Sequence, residues 1–277
     1  MKNTLFLYMD ILGFKDMIKN KSKIKRLYKI LDSAFIHKDR NFRTIVFSDT
    51  LLAFNIYDDL KNDKKKIELM YLIELTQNIF NKFIGENIYF RAIITEGEFI
   101  FENLEHFHAY YGNALIDTHK NEKELKGIGL YLDKKLRIYN RFFRYFDIPG
   151  LYDFIYLTNN CCRLFPYEKK LVKNNYIDDK GIYPLPEILI SSTSAEYLLY
   201  PEFKHFKDIF DQIKKQRNIE IRKKYIYTWE LYKLAYPALI ETLCKSKFNP
   251  KSVCKINWSK AKKLYNENKT DILAYDV

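Results

Sequence analysis

Residues 4–12 (TLFLYMDIL) form a nearly continuous apolar run with one carboxylate, Asp10, near its end. A run of this length, broken by Gly13, reads as a strand buried on both faces at the centre of a sheet. An acid inside such a segment costs stability unless something satisfies it. Asp10 therefore needs a reason to be there, and the rest of the chain has to be arranged around this strand.

A basic amphipathic helix follows to about His37. Its apolar face is Ile24, Leu27, Leu31 and Phe35, so the dense lysines of Lys19 to Lys29 read as its solvated side. Residues 43–48 (RTIVFS) and 50–57 (TLLAFNIY) are β-rich runs separated only by Asp49, the pattern of a tight hairpin. A second helix is predicted over 64–84, with Leu69, Leu72, Ile73, Ile79, Phe80 and Phe83 on one face. Residues 88–95 (IYFRAIIT) form the next strand, and Glu96-Gly97 turns it into 98–101. The order β-α-β-β-α-β defines an α+β chain with a ferredoxin-like core, an antiparallel sheet with both helices on one face.

Beyond the core come a polar and aromatic loop (102–111), a helix from Asn113 to Leu125 and a strand over 127–132. Residues 133–184 are irregular and aromatic, with one helix around Lys134 to Tyr145. Residues 187–191 (EILIS) read as a strand, Thr193 to Leu199 as the start of a helix, and 202–277 as mostly helical and basic.

With 47% hydrophobic and 30% charged residues, disordered and fibrous classes are excluded. No apolar run reaches the roughly 18–20 residues that span a bilayer, and the N-terminus reads as a strand and not a signal peptide. The expectation is a soluble, cytoplasmic protein without a membrane partner. The net charge of +12 is compatible with attraction to polyanions, and equally with a composition rich in Lys, Asn, Ile and Tyr throughout. Cys161, Cys162, Cys244 and Cys254 lack metal-type spacing and read as reduced thiols.

In a ferredoxin-like unit the first strand lies antiparallel beside the third. The end of strand one, Asp10, is thereby brought next to the start of strand three, which Asp49 precedes. At about 4 Å and an effective dielectric of 20, two such charges repel by roughly 4 kcal/mol. The pair persists if a proton is shared or a divalent cation sits between them, and hard oxygen donors favour Mg²⁺ or Mn²⁺. The backbone N–H groups of Ile11, Leu12, Gly13 and Phe14, where strand turns into helix, complete an expected cradle for phosphates. This combination suits nucleotidyl transfer. The bland alternative is a favoured turn residue at Asp49 and a strand-end acid at Asp10.

Five segments, MDILGFKD, VFSDTLLAF, FRAIITEGE, YYGNALIDTHKNEKE and PEILISSTSAEYLL, resemble in order the motifs of the class III adenylate/guanylate cyclase catalytic domain. The resemblance covers about 4–124 and 186–199. It implies a cyclase-like core (1–124 plus 186–200), an insertion (125–185) and a helical basic extension (201–277). It further implies metal binding by Asp10 and Asp49, a nucleoside triphosphate substrate, and a site formed across a head-to-tail homodimer. Ser48 replaces the family's hairpin glycine. The family's transition-state Asn falls on Ile116 and its transition-state Arg on Lys120, which is expected to stabilise phosphate charge catalytically as a point charge without a bidentate fork. The purine-selecting Lys and Asp fall on Ile45 and Ala109.

The leading expectation is therefore a divergent cyclase-like enzyme in nucleotide signalling, with Asp10, Asp49 and Lys120 in its chemistry. One rival is a degenerate cyclase domain that binds nucleotide or a protein partner without turnover. Another is a nucleic-acid binder on a ferredoxin-like sheet, which the buried look of the strands argues against. His106 and His108 lack a third ligand, and His119 is a weak candidate acid or base.

Overall fold

A computed structural model describes residues 3–34, 42–56, 61–158, 160–161, 165, 168, 170–173 and 196–267. The expected strand at 187–191, the helix start at 193–195, Phe35, His37 and Cys162 lie outside them. The core follows the predicted order: β1 (Asn3–Ile11), the short α1 (Phe14–Met17), α2 (Lys21–Ser33), β2 (Phe42–Phe47), β3 (Thr50–Asn55), α3 (Asn62–Phe83) and β4 (Phe90–Glu98). These strands lie in the order β4-β1-β3-β2, every neighbouring pair antiparallel. That is the ferredoxin-like arrangement, and the fold class is α+β.

β1 is buried from Thr4 to Met9 because it is paired on both edges and covered on both faces. Leu5, Leu7, Met9 and Ile11 point to one face, where Leu27, Ile30 and Leu31 of α2 and Leu69, Leu72 and Ile73 of α3 meet them. Asn20 caps α2 by accepting the N–H of Lys23. Lys21, Lys25 and Lys29 are exposed, so the lysine-rich stretch is the solvated face expected of it.

The other face carries Phe6 and Tyr8 from β1 and Leu52 and Phe54 from β3. They pack against a hairpin of β5 (Ile100–Asn103) and β6 (His108–Tyr111), and against α4 (Asn113–Glu122). β6 falls in the segment read as a loop. Its pairing with β5 is sheltered by Phe101, which stacks near Phe54 and Tyr110.

Residues 125–185, read as an insertion, carry strands of the same sheet. β7 (Gly129–Asp133) runs parallel to β4, and β9 (Tyr152–Ile155), β8 (Tyr145–Asp147) and β10 (Val172–Lys173) extend the sheet outward to eight strands. The helix expected over 134–145 is corrected by the structure. A 3₁₀ helix spans only Lys134–Tyr139, because Asn140 closes a turn through both the N–H and the carbonyl of Phe143. β8 then starts.

Four helices follow: α5 (Glu196–Lys215), α6 (Ile219–Ala235), α7 (Pro237–Lys245) and α8 (Trp258–Glu267). They cover the second face over β4, β7 and β9, burying Ile93, Tyr131, Phe154 and Tyr156 under Phe206, Trp229, Tyr232 and Tyr236. Trp229, Tyr232 and Tyr236, at helical spacing along α6 and its end, are thus core residues. No described helix is long and apolar enough to cross a membrane; Cys161 is buried, and Cys244 and Cys254 are partly buried.

Candidate functional site

The site lies on the second face, at the end of β1, where the hairpin, α4 and α6 converge. Register sets it: Asp10 sits opposite Thr50 of β3 on one side and Arg91 of β4 on the other. Directly opposed residues share a face, so Thr50, Asp10 and Arg91 form one polar row across three strands. Asp49 is in the turn next to Thr50, and its carbonyl accepts the N–H of Ile11. The structure therefore brings Asp10 and Asp49 together as topology requires.

Around the row the electrostatics are dense. Arg91 is buried and forms an ion pair with the buried Glu122 of α4. Its Nη1 also donates to the carbonyl of Leu125 at 2.8 Å. Burial, then the charges of Glu122 and Asp49, push the Asp10 carboxyl up to about 7, against the opposing pull of Arg91 and Lys224. Lys224, half-buried on α6, is pushed below the ordinary lysine value by burial and by Arg91, with Glu122 and Asp10 favouring its charge. Beside Asp10, the Tyr8 hydroxyl meets the Thr50 side chain and His119 Nδ1, the latter at 3.1 Å. His119 thus ties α4 to β1.

Not every expected residue joins this group. Ala114, Thr118 and Glu122 turn the inner face of α4 to the sheet, which leaves Ile116 and Lys120 exposed on its outer side. Within one chain Lys120 is not brought to Asp10 and Asp49. The expected four-residue cradle is also narrowed. The N–H of Ile11 bonds Asp49 and the N–H of Leu12 donates to the carbonyl of Tyr89 at 2.9 Å, which leaves Gly13 and Phe14. Gly13 caps α1 at φ 74°, a left-handed conformation, and an added Cβ there meets nothing within 4 Å. Its role is to make the turn, and the space above it is open. A cleft of about 500 Å³ begins there, between Leu12 and Gly13 on one wall and α5 and α6 on the other.

Arg91, Glu122 and Lys224 were not among the residues singled out from the sequence. A signal for Arg91 was present: it is a charge inside the apolar strand FRAII, as Asp10 is inside FLYMDIL.

Among the described residues no group of three or more His, Cys, Asp or Glu is arranged to hold a metal. The donor set at Asp10 nevertheless suits a hard divalent cation. It is all oxygen, burial with the charges of Glu122 and Asp49 keeps a proton on Asp10 up to about 7 that a cation could replace, and two carboxylates leave positions for water and phosphate oxygens.

The sequence matches no protein-family profile and no curated protein. Solved structures similar to the chain include the guanylyl cyclase Cya2, at 12% identity over 56% of this chain and 89% of that one, with a TM-score of 0.38. The adenylyl cyclase CyaB from P. aeruginosa matches at 7% identity over 56% and 92%, with a TM-score of 0.40. The guanylyl cyclase domain of the RhoGC fusion protein from Blastocladiella emersonii matches at 14% over 56% and 93%, with a TM-score of 0.43.

Proposed function

We propose that this protein is a divergent class III cyclase-like enzyme. In this reading it catalyses attack of a ribose hydroxyl on the α-phosphate of a nucleoside triphosphate, with release of pyrophosphate, for nucleotide signalling. The observation that carries the reading is the register of β1 against β3. It sets Asp10 beside Thr50 and Asp49 on a face with excess negative potential, next to a glycine turn with open space above it.

Asp10 and Asp49 are the residues to hold Mg²⁺ or Mn²⁺, which when bound supplies Lewis-acid charge to the attacking and leaving oxygens. The Gly13 and Phe14 N–H groups are positioned to receive phosphate oxygens. Arg91 and Glu122 neutralise each other and hold α4 against β4, the neighbour of the strand that carries Asp10. Lys120 is exposed on the outer side of α4, and in this reading it serves the site of a second copy of the chain, as a head-to-tail homodimer would require.

The test is Mn²⁺-dependent release of pyrophosphate from ATP or GTP by the full chain. Release that falls at least a hundredfold in Asp10→Asn supports the reading. No release from either nucleotide, or undiminished release from the variant, contradicts it.

The second reading is a domain that binds nucleotide with Mg²⁺ but does not turn it over. It is favoured by Ile116, Ile45 and Ala109 at positions where the resemblance calls for polar groups. Calorimetric nucleotide binding without pyrophosphate release distinguishes it.

A further inference from the structure

The open cleft above Gly13 has its second wall built by the helical extension. Gln212 comes from α5, Gln216 from the link that follows it, and Lys224 and Tyr225 from α6. Lys224 lies at a junction, because it also lines a neighbouring groove of about 740 Å³ with Arg91 and Lys126. It is half-buried and makes no hydrogen bond or ion pair among the described residues, although its charge is felt at Asp10, Glu122 and Arg91. Burial and Arg91 oppose its charge while Glu122, Asp10 and Glu220 favour it, and none of these acids lines the cleft, so an anion entering the cleft would meet an ammonium with no bonded partner. Lys23, across the cleft on α2, is engaged with the carbonyl of Asn87 at 3.2 Å. Among the described residues Asp16 is the one acid on the cleft wall.

We infer that the helical extension completes the anion site within a single chain, with Lys224 of α6 binding the polyphosphate of a nucleoside triphosphate across the cleft from Gly13. The inference rests on the reading of the Asp10 and Asp49 face as a nucleotide site, and it deepens it. A cation that Lys120 does not supply in its own chain is supplied by a segment outside the cyclase-like core. The neutral amides of Gln212 and Gln216 on the same wall leave Lys224 as the α5–α6 cation facing the cleft. A lysine here acts as a compact point charge, suited to a flexible polyphosphate.

The test uses the full chain and two probes, inorganic tripolyphosphate and ATP with Mn²⁺, titrated calorimetrically into wild type, Lys224→Met and Lys224→Arg. Methionine keeps the aliphatic stem, and thermal melts of the variants check the fold. The expected result is binding of tripolyphosphate and ATP that weakens about tenfold to a hundredfold in Lys224→Met and is largely restored in Lys224→Arg. Mn²⁺ binding alone is weakened in neither variant, since losing a cation near Asp10 does not disfavour a metal there. Equal affinity of wild type and Lys224→Met overturns the inference and leaves the nucleotide reading standing. Tripolyphosphate binding lost in Lys224→Met, with no ATP binding or turnover by wild type, supports the anion site while the nucleotide reading falls. No binding of either probe overturns both.

Discussion

Asp10 is the residue at which fold and chemistry pull against each other. Its carboxyl titrates near 7 when folded and near the ordinary 3.8 when unfolded. Between these values the native state binds the extra proton, so this group's contribution to stability falls as pH rises from about 4 to about 7. Asp10→Asn removes that dependence. The variant is expected to be more stable than wild type by about 1–2 kcal/mol at pH 8, after discounting for solvent screening, and close to wild type near pH 4.5. Urea melts at the two pH values check this. Arg91 shows the opposite sensitivity. Arg91→Met leaves Glu122 buried without its cation and is expected to cost about 3–5 kcal/mol, read from the same melts. At this scale the site was half legible. An acid in an apolar strand advertised Asp10 and, by the same logic, Arg91. Lys224 carried no such signal, because nothing in the local pattern of α6 says which sheet edge its lysines will face.

Among the elements, the hairpin that presents Asp49 is held in a conformation its residues do not prefer. Ser48 adopts φ 55°, in the left-handed region, and its carbonyl accepts from the Tyr28 hydroxyl at 3.1 Å. A glycine reaches that φ without steric cost. Ser48→Gly is therefore expected to stabilise the protein by about 0.5–1 kcal/mol with no loss at the site, measured by thermal or urea denaturation. The core strands and helices were legible because hydrophobic periodicity marks elements buried on one or two faces. The short strands were not. β6, β8 and β10 span two to four residues each, too few for a period to show. The helical pattern over 134–145 was cut short by a side-chain turn at Asn140, a contact that no propensity encodes.

For the whole molecule, the sheet is closed on its second face by two covers, the β5–β6 hairpin with α4 over one half and α5 to α8 over the other. Removing residues 196–277 exposes Ile93, Tyr131, Phe154 and Tyr156 together, an apolar surface a monomer does not tolerate in water. The truncated chain is expected to aggregate or lose its cooperative unfolding transition, seen by size-exclusion chromatography and thermal melts. A well-folded monomer would show that the extension is a separable domain. The long-range placement of these helices was beyond sequence reading, since their amphipathic faces fix that they pack and not onto what.

The central claim is that Asp10 and Asp49 meet to hold a divalent cation, and direct Mn²⁺ titration of the full chain at pH 7.5 addresses it. Wild type is predicted to bind Mn²⁺ with an affinity that rises with pH up to about 7, as the proton on Asp10 is displaced. Asp10→Asn and Asp49→Asn are each predicted to weaken that binding at least tenfold. Mn²⁺ affinity indistinguishable among wild type and the two variants, or no binding at all, would contradict the account.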